Sequence, residues 1–279
     1  KFAVIIGKNP SLNARSPVLW NAAFMANNLN YSMVPIDVDL ENLEMVLNFL
    51  KENKKCIGGA VTIPYKTNVW NWLGENISDE AKNIKAVNCI YRDKAGVIRG
   101  TNTDGEASLA AFKDRFGEIK DKKVMIIGCG GAGKAVIAYF SHELKNSNLY
   151  LTCRNKSNFN FDSGIKNIVW IDWIEKNKVF SEIDILINCT SLGFDKQMDI
   201  SPLSGEDIKL LNKGCIVYDI IYNPEKTLLL NLAEKNNLKI INGPEMNLLQ
   251  AVLAFRYAMN TVDENINPEK AMREVIKIK

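Results

Sequence analysis

A glycine-rich stretch in the middle of the chain has the spacing of a phosphate-binding loop. It reads Gly128-Cys129-Gly130-Gly131-Ala132-Gly133 and follows the apolar run Lys123–Ile127. In the G-x-G-x-x-G pattern the first glycine makes a tight turn, the second lets the backbone approach a pyrophosphate, and the third lets helix and strand pack closely. The N-terminus of the following helix adds free N–H groups and a partial positive charge. A strand, this loop and a helix from Lys134 together predict a dinucleotide site rather than a glycine turn without a ligand.

The choice of dinucleotide depends on the end of the next strand. NAD sites place an acidic residue about 20 residues beyond the loop, where it binds the ribose 2′-hydroxyl. This chain has no Asp or Glu between Glu143 and Asp162, and offers Arg154 and Lys156 there instead. Cations suit the 2′-phosphate of NADP, and a guanidinium can bind it with two hydrogen bonds. We therefore predict NADP rather than NAD.

Other polar side chains follow strand-like runs elsewhere in the chain. The first half contains three such motifs: Gly59–Lys66, which includes Thr62, Ala86–Cys89, which includes Asn88, and Gly100–Gly105, which includes Asp104. The second half contains three more: Asn188–Gly193, Tyr222–Pro224 and Gly243–Ala251. Hydroxyl, amide, carboxylate and ammonium groups at strand ends are the groups from which binding and acid–base sites are built.

Composition narrows the function class. The chain has 279 residues, 47% hydrophobic and 24% charged, which is typical of a soluble globular protein with one large or two ordinary domains. A net charge of +3 is too small to indicate a nucleic-acid partner. No run of 18 apolar residues is present, so no membrane span is predicted. More than a hundred residues precede the glycine loop, enough for a separate domain.

The histidine and cysteine content excludes several chemistries. His142, near a helix end, is the only histidine, so acid–base chemistry must use Lys, Asp, Glu, Tyr or Cys, and we predict His142 to be an exposed helix residue. The six cysteines form no C-x-x-C pair, and most lie in or beside apolar runs. We predict reduced, structural cysteines in a cytoplasmic protein, with no metal site.

Strand-like and helical patterns alternate nearly throughout, which predicts an α/β fold with largely parallel sheets. In the first half we predict strands at Phe2–Gly7, Tyr31–Asp37, Cys56–Thr62 and Val87–Tyr91, a hairpin of Cys89–Arg92 with Val97–Gly100, and helices at Val18–Asn28 (opened by Ser16 as N-cap), Leu40–Glu52 and Lys66–Trp72. In the second half we predict strands at Lys123–Ile127, Leu149–Cys153, Ile168–Trp170, Ile183–Asn188, Cys215–Asp219 and Lys239–Ile241, and helices at Gly105–Phe116, Glu245–Met259 and Pro268–Ile278.

In order and spacing, these motifs resemble the shikimate dehydrogenase family, including its quinate/shikimate members, over nearly the whole chain. Four elements carry the resemblance: T-x-P-x-K at 62–66, A-V-N at 86–88, N-T-D at 102–104 and Q-A at 250–251. The resemblance implies an N-terminal α/β substrate domain, residues 1–104, completed by C-terminal helices in 245–279. It also implies a Rossmann-type NADP-binding domain, residues 105–244.

The resemblance further implies reversible hydride transfer between NADP(H) and a cyclic polyol carboxylate, shikimate to 3-dehydroshikimate in aromatic amino acid biosynthesis. Lys66 and Asp104 would be the catalytic pair, and which of them carries the proton stays open. Substrate contacts would be Ser16, Thr62, Asn88, Tyr222 and Gln250. Cofactor contacts would be Gly128, Gly130, Gly131, Ala132, Gly133, Arg154, Asn155, Lys156, Thr190, Ser191, Ile220, Gly243 and Met246, although Ile220 and Met246 equally suit an ordinary core. The small ring acid would be the only partner besides a second copy, in a monomer or homodimer.

The chain departs from the family pattern near its N-terminus. The family motif H-S-x-S-P reads Asn13-Ala14-Arg15-Ser16-Pro17 here, so the second serine is kept as Ser16 and the first is replaced by Ala14. Ala60 stands where the family has Asn, and Cys89 where it has Thr. Loss of one hydrogen-bond donor to a buried carboxylate costs about 1–3 kcal/mol. Arg15 is either a replacement donor or an exposed loop cation.

Four alternative functions remain open at this point. The chain could be a paralogue that acts on quinate or another ring acid, or a non-catalytic NADP-binding protein on the same scaffold. A protein like methylene-tetrahydrofolate dehydrogenase would share the two-domain architecture, but it leaves N-T-D and Q-A unexplained. A thiol enzyme using Cys89 is the fourth possibility.

Overall fold

The computed structural model describes residues 1–144, 147–155, 168–259 and 266–276. It divides the chain into two compact units, Lys1–Asp104 with Leu248–Lys279, and Gly105–Asn247. Each unit is built around one β-sheet with helices, so the predicted α/β class is confirmed.

The first unit contains a five-stranded sheet in the order β2-β1-β3-β4-β5. Strands β1, β2 and β3 run parallel, and β4 and β5 form an antiparallel hairpin at one edge. Its strands are β1 (Phe2–Gly7), β2 (Ser32–Asp37), β3 (Cys56–Val61), β4 (Cys89–Arg92) and β5 (Ile98–Thr101). Its helices are α1 (Pro10–Asn13), α2 (Ser16–Ala26), α3 (Leu40–Glu52), α4 (Lys66–Leu73), α5 (Asp79–Ile84), most of α10 (Pro244–Met259) and α11 (Glu269–Ile276).

Two apolar clusters form the core of this unit. Every residue of β3 is buried, as expected for a central strand covered on both faces. One cluster joins β1 and β3 to α2, α10 and α11, and its centre is an aromatic group in which Phe255 of α10 lies 5.1 Å, between ring centroids, from both Trp20 and Phe24 of α2. The C-terminal helices therefore supply a large part of the core of the N-terminal sheet.

The second unit contains a six-stranded, fully parallel sheet in the order β11-β10-β9-β6-β7-β8. Read from β8, it has the spatial order of doubly wound sheets, which bind ligands outside the carboxyl ends of the strands where the chain order reverses. Here that place lies between β6 and β9. The strands are β6 (Val124–Ile127), β7 (Leu149–Thr152), β8 (Ile168–Trp170), β9 (Ile185–Asn188), β10 (Ile216–Asp219) and β11 (Lys239–Ile241). The helices are α6 (Asp104–Phe116), α7 (Gly131–Glu143), α8 (Gly205–Lys209) and α9 (Leu228–Lys235), with 3₁₀ turns at Trp173–Glu182 and Asp195–Gln197.

The predicted strands and hairpin are present, and the differences lie at element ends and in short helices. Helix α2 begins at Ser16, and the residue before it, Arg15, has φ −83° and ψ −20° and makes no side-chain capping bond. Ser16 is therefore not the N-cap. Asn88 lies just before β4 rather than within a strand, since pairing with β3 begins at Cys89.

Four short helices, α1, α5, α8 and α9, were not predicted from periodicity because they are only four to eight residues long. The last three each begin with a capping side chain, whose oxygen accepts from a backbone N–H three residues later. The cap residues are Ser78, Ser204 and Thr227, and Ser204 forms a complete capping box with Asp207.

The role of the C-terminal helix in the first core can be tested with Phe255→Ala. Phe255 is fully buried, so we expect a loss of about 3–5 kcal/mol in unfolding free energy, the usual result of truncating a buried phenylalanine. Phe49→Ala, at a position 62% exposed in the same unit, should change it by less than about 0.5 kcal/mol. Urea denaturation followed by tryptophan fluorescence measures both. Equal midpoints for the two variants would contradict the packing described.

Candidate active site

The most buried ion pair in the described part of the chain joins Lys66 to Asp104. Lys66 is the first residue of α4, directly after the turn that follows β3, and Asp104 is the first residue of α6, after β5. Lys66 Nζ lies 2.6 Å from Asp104 Oδ2, and the two side chains are 15% and 7% exposed. A pair this close, with the ammonium still in reach of solvent, is a suitable group for exchanging a proton with a bound hydroxyl.

The Asn88 side chain fixes the other oxygen of this carboxylate. Asn88 Nδ2 donates to Asp104 Oδ1 at 2.8 Å and to Thr103 Oγ1 at 3.0 Å, and Asn88 Oδ1 accepts from the Thr103 backbone N–H at 2.8 Å. Both amide hydrogens of Asn88 are thus used within the protein. In this arrangement Asn88 holds Asp104 in place, and a ligand could approach only its carbonyl oxygen.

The N-T-D motif forms a second set of contacts around the pair. Asn102 Oδ1 accepts from the Asp104 backbone N–H at 3.0 Å, and Asn102 Nδ2 donates to the backbone oxygen of Ala86 at 3.0 Å. Thr103 Oγ1 donates to the backbone oxygen of Gln250 at 3.1 Å, which links α10 to the same network. The motif residues therefore lock together the backbones that carry Lys66, Asn88 and Asp104.

The remaining predicted substrate residues lie in different places. Ser16 is buried at the start of α2, Thr62 is half-buried one turn before Lys66, and Gln250 is half-buried on α10. Tyr222 belongs to the second unit, where its ring centroid lies 6.0 Å from that of Phe194. The structure brings Lys66, Asn88, Asp104 and the Gln250 backbone into one network, and Thr62 lies beside it in sequence.

The positions that depart from the family pattern are apolar in the structure. Ala60 is 6% exposed and belongs to the aromatic-centred core, and Ala14 is partly buried against the same cluster. Cys89 is fully buried in this cluster, and burial raises the pKa of its thiol. A thiol enclosed in an apolar core is out of reach of a substrate, so the geometry does not favour a thiol enzyme that uses Cys89.

The glycine loop of the second unit has the local geometry that a pyrophosphate requires. Gly128 has φ +102° and a Cβ there would lie 2.9 Å from Thr190 N, while a Cβ on Gly133 would overlap the carbonyl oxygen of Gly128. Gly130 is the N-cap of α7 without a side-chain cap, and a Cβ on it would meet nothing within 4 Å. The loop is therefore tight where helix and strand meet and open where an anion would approach the helix N-terminus, so its residues fit a dinucleotide.

The other predicted cofactor residues of this unit follow the carboxyl ends of its strands. Thr190 donates from its backbone N–H and its hydroxyl to Asn188 Oδ1, at 3.0 and 2.7 Å, and Ser191 Oγ lies 3.1 Å from Gln197 Oε1. Gly243 packs so closely on the Ile220 backbone that a Cβ would overlap it. Met246 is buried and Ile220 is half-buried. Arg154 is exposed just after β7, and Lys156 lies outside the described residues.

One buried charged residue of this unit was missed by the sequence patterns. Asp219, at the end of β10, is fully buried and accepts from Asn188 Nδ2 at 3.1 Å, the Ile221 backbone N–H at 3.1 Å and Thr227 Oγ1 at 2.6 Å. Burial raises the pKa of Asp219 to about 6, against the effect of these three donors. Through Asn188, Asp219 holds the loop that contains Thr190. An Asp at the end of an apolar run is the sequence signal that could have revealed this residue.

The single histidine and the acidic, thiol and apolar side chains of the described residues bear on metal binding and membrane insertion. His142 is exposed near the end of α7, as predicted. Within the described ranges there is no group of three or more His, Cys, Asp or Glu side chains placed to hold a metal ion. None of the helices in this part of the chain is long and apolar enough to span a membrane.

The two units define a class of protein, two-domain α/β proteins with a dinucleotide-binding sheet. A family model described as the shikimate dehydrogenase substrate binding domain matches residues 5–90. The shikimate dehydrogenase (NADP(+)) of Methanocaldococcus jannaschii is 35% identical over 270 residues, 92% of this chain and 90% of that protein. That of Caldanaerobacter subterraneus subsp. tengcongensis is 33% identical over 255 residues, 88% of each chain. The chain belongs to the shikimate dehydrogenase family.

A solved structure agrees with this assignment over the full length. The shikimate 5-dehydrogenase of Thermus thermophilus, crystallised in complex with NADP(H) and shikimate, superposes with a TM-score of 0.78 and 26% identity. The match covers 98% of this chain and 99% of that one. The sequence-based assignment to the family is therefore confirmed, together with a substrate domain followed by a Rossmann-type domain.

The buried Asp219 predicts a pH dependence that Asp219→Asn should remove. The pKa of this carboxyl is about 6 in the folded protein and about 3.9 in an unfolded chain, so the folded state holds the proton more tightly. Stability from this group is therefore fully present below about pH 4 and is lost as the pH rises to about 6. We expect the melting temperature of the variant, minus that of the wild type, to increase between about pH 4 and 6 and then level off.

Differential scanning fluorimetry across this pH range measures the effect. The exposed Asp199→Asn in the same unit is the matched control and should show no such trend. A difference between Asp219→Asn and wild type that stays constant with pH would contradict the raised pKa.

Proposed function

We propose that the chain catalyses the reversible NADP-dependent oxidation of shikimate to 3-dehydroshikimate, a step of aromatic amino acid biosynthesis. The observation that carries the proposal is the buried Lys66–Asp104 pair, held by Asn88, in a chain that belongs to this family. Family membership supports a cytoplasmic enzyme that acts as a monomer or homodimer on a small ring acid.

In the proposed mechanism Lys66 exchanges the proton of the reacting hydroxyl. Both oxygens of Asp104 already have partners, Lys66 on Oδ2 and Asn88 on Oδ1, and its side chain is the less exposed of the pair. In ketone reduction the ammonium, which uses one of its three N–H donors on Asp104, donates a proton to the substrate oxygen. In alcohol oxidation the neutral amine accepts the hydroxyl proton. Asp104 orients the Lys66 side chain, and the glycine loop with Arg154 would hold NADP(H), which would supply the hydride-transfer chemistry.

We assign substrate binding to residues 1–104 with 245–279 and cofactor binding to residues 105–244. Ser16, Thr62 and Gln250 supply hydroxyl and amide groups for the ring acid, together with the Asn88 carbonyl oxygen. The role of Tyr222 rests on the family resemblance alone. The open face of Gly130 at the start of α7 supports a pyrophosphate contact. The exposed position of Arg154 after β7 supports binding of the 2′-phosphate.

The altered N-terminal motif affects binding of the substrate carboxylate more than the reaction. Ala14 and Ala60 offer no polar side chain and pack in the core, so one or two contacts present in the family pattern are missing. Loss of one such hydrogen bond corresponds to about 1–3 kcal/mol, or about one to two decades in affinity. Ser16 and Arg15 are the polar side chains left at this place in the sequence.

The proposal is tested by assaying shikimate and quinate with NADP⁺. We expect NADPH formation with shikimate, and a fall in kcat of about 10²–10⁴-fold in Lys66→Met, since the proton acceptor is lost. NADPH binding by that variant should be unchanged. Lys54→Met, an exposed lysine of the same unit, should keep full activity.

Two results would overturn parts of this proposal separately. Turnover of quinate alone would reassign the substrate to a related ring acid. Turnover of neither acid by a protein that still binds NADPH would identify a non-catalytic NADP-binding protein.

The cofactor preference is tested with Arg154→Gln. A charge-assisted hydrogen bond to the 2′-phosphate contributes about 1.5–3 kcal/mol, so we expect KM for NADP⁺ to rise about 10- to 100-fold while KM for NAD⁺ stays constant. Lys209→Gln, at an exposed position of α8 in the same unit, is the charge-matched control and should change neither constant. Equal effects on both cofactors would remove Arg154 from 2′-phosphate recognition.

A further inference from the structure

Two cysteine thiols lie together at the carboxyl edge of the second sheet. Cys129 is the second residue of the glycine loop, and Cys153 directly follows β7. Strands β6 and β7 pair in parallel with Ile127 opposite Thr152, and the Gly128 N–H donates to the Thr152 carbonyl at 2.9 Å. The chain therefore reaches Cys129 and Cys153 from two adjacent strand ends that are hydrogen-bonded to each other.

The two thiols are neighbours at these paired strand ends, and they differ in exposure. The Cys153 side chain lies close enough to influence the Cys129 thiol. Cys129 is 5% exposed, whereas Cys153 is half-buried and its Sγ also donates to the Asn155 carbonyl at 3.2 Å. Burial first, and the adjacent Cys153 second, raise the pKa of the Cys129 thiol. Cys153 is thus the thiol that a reagent from solvent can reach, with Cys129 behind it.

The other cysteines have different surroundings. Cys56 and Cys89 are buried in the apolar clusters of the first unit, and Cys215 is buried in the apolar cluster of the second. Cys189 follows β9 and lies close to the loop from the other side, where a Cβ on Gly133 would come within 3.3 Å of its Cβ. Cys129 and Cys153 are the two cysteines that directly follow the paired ends of β6 and β7.

We propose that Cys129 and Cys153 form a thiol–disulfide modification site, in which a reversible disulfide between them weakens NADP(H) binding. The effect of the disulfide on NADP(H) binding rests on the proposed cofactor function. The oxidant is a low-molecular-weight disulfide, such as glutathione disulfide.

The reaction proceeds in two exchange steps. The Cys153 thiolate attacks one sulfur of the oxidant, which forms a mixed disulfide and releases one thiol. The neighbouring Cys129 thiol then attacks the Cys153 sulfur as its proton passes to the departing thiolate, which forms the Cys129–Cys153 bond and releases the second thiol. The two protein thiols lose two electrons and two protons, and the oxidant is reduced to two thiols. A dithiol reductant runs the same steps in reverse.

The effect on the cofactor follows from the neighbours of the two cysteines. Gly130, next to Cys129, has the open space proposed for the pyrophosphate, and Arg154, next to Cys153, is the proposed 2′-phosphate ligand. A disulfide brings the two sulfur atoms to about 2.05 Å and restricts the dihedral angle between them. It therefore draws the glycine loop and the Arg154 segment together and changes their spacing. Conversely, bound NADP(H) holds both segments apart and slows disulfide formation.

The site itself is tested by mass spectrometry of the full chain after incubation with glutathione disulfide. The wild type should lose about 2 Da, corresponding to two hydrogens, with a cross-linked peptide pair containing Cys129 and Cys153. Cys129→Ser should stop at the mixed disulfide on Cys153, and Cys153→Ser should show neither product. Cys189→Ser should behave as wild type. A persistent glutathione adduct on the wild type, or a disulfide that uses another cysteine, would overturn the site.

The link to the cofactor is tested by NADPH fluorescence titration of the same samples. We expect at least about tenfold weaker binding by the oxidised wild type, full recovery after dithiothreitol, and no change in Cys153→Ser under the same treatment. NADPH present during oxidation should slow formation of the mapped disulfide. Unchanged affinity in a fully cross-linked sample would overturn the link. If the reduced protein itself fails to bind NADPH, the proposed cofactor is wrong. The mass-spectrometric mapping of the disulfide still tests the modification site independently.

Discussion

The arrangement of the first unit depends on a charged pair that would be costly to bury without its neighbours. The Asp104 side chain is only 7% exposed, and a carboxylate removed from water is stable only when its oxygens have good partners. Lys66 satisfies one oxygen and Asn88 the other. Since Asn88 is held in turn by the backbone and hydroxyl of Thr103, the position of the Lys66 ammonium is set by the loops before β4 and after β5 together.

The second unit also holds a buried carboxylate through an asparagine side chain, but without a cation beside it. Asn188 Nδ2 donates to Asp219, and Asn188 Oδ1 accepts from the Thr190 backbone, as Asn88 does with Asp104 and Thr103. The donors to Asp219 are all neutral groups, whereas Asp104 has an ammonium. Burial therefore raises the pKa of Asp219, and this carboxylate is suited to fixing a loop. An asparagine between a carboxylate and a threonine N–H thus positions a functional loop in each unit.

The sequence predicts the features that local patterns encode. Continuous apolar runs predicted the strands, and the spacing of glycines predicted the loop between β6 and α7, because both depend on neighbouring residues only. The Lys66–Asp104 contact joins residues 38 positions apart, so it was available only through the family resemblance. Asp219 was missed because its partners Asn188 and Thr227 come from separate elements, and nothing in the local sequence of β10 indicates that they meet.

The cysteines have different surroundings in the fold, although their settings in the sequence are similar. In the sequence most of them have a similar apolar setting, which predicts structural thiols, and that description suits Cys56, Cys89 and Cys215 in the apolar cores. Cys129 and Cys153 have apolar strands before them as well, but both stand just past the carboxyl ends of parallel strands. The topology that gathers ligand-binding loops at this edge of a parallel sheet also gathers whatever side chains those loops carry. Two thiols carried by paired strand ends are thereby brought close together beside the glycine loop, and this placement is the basis of the proposed control by oxidation.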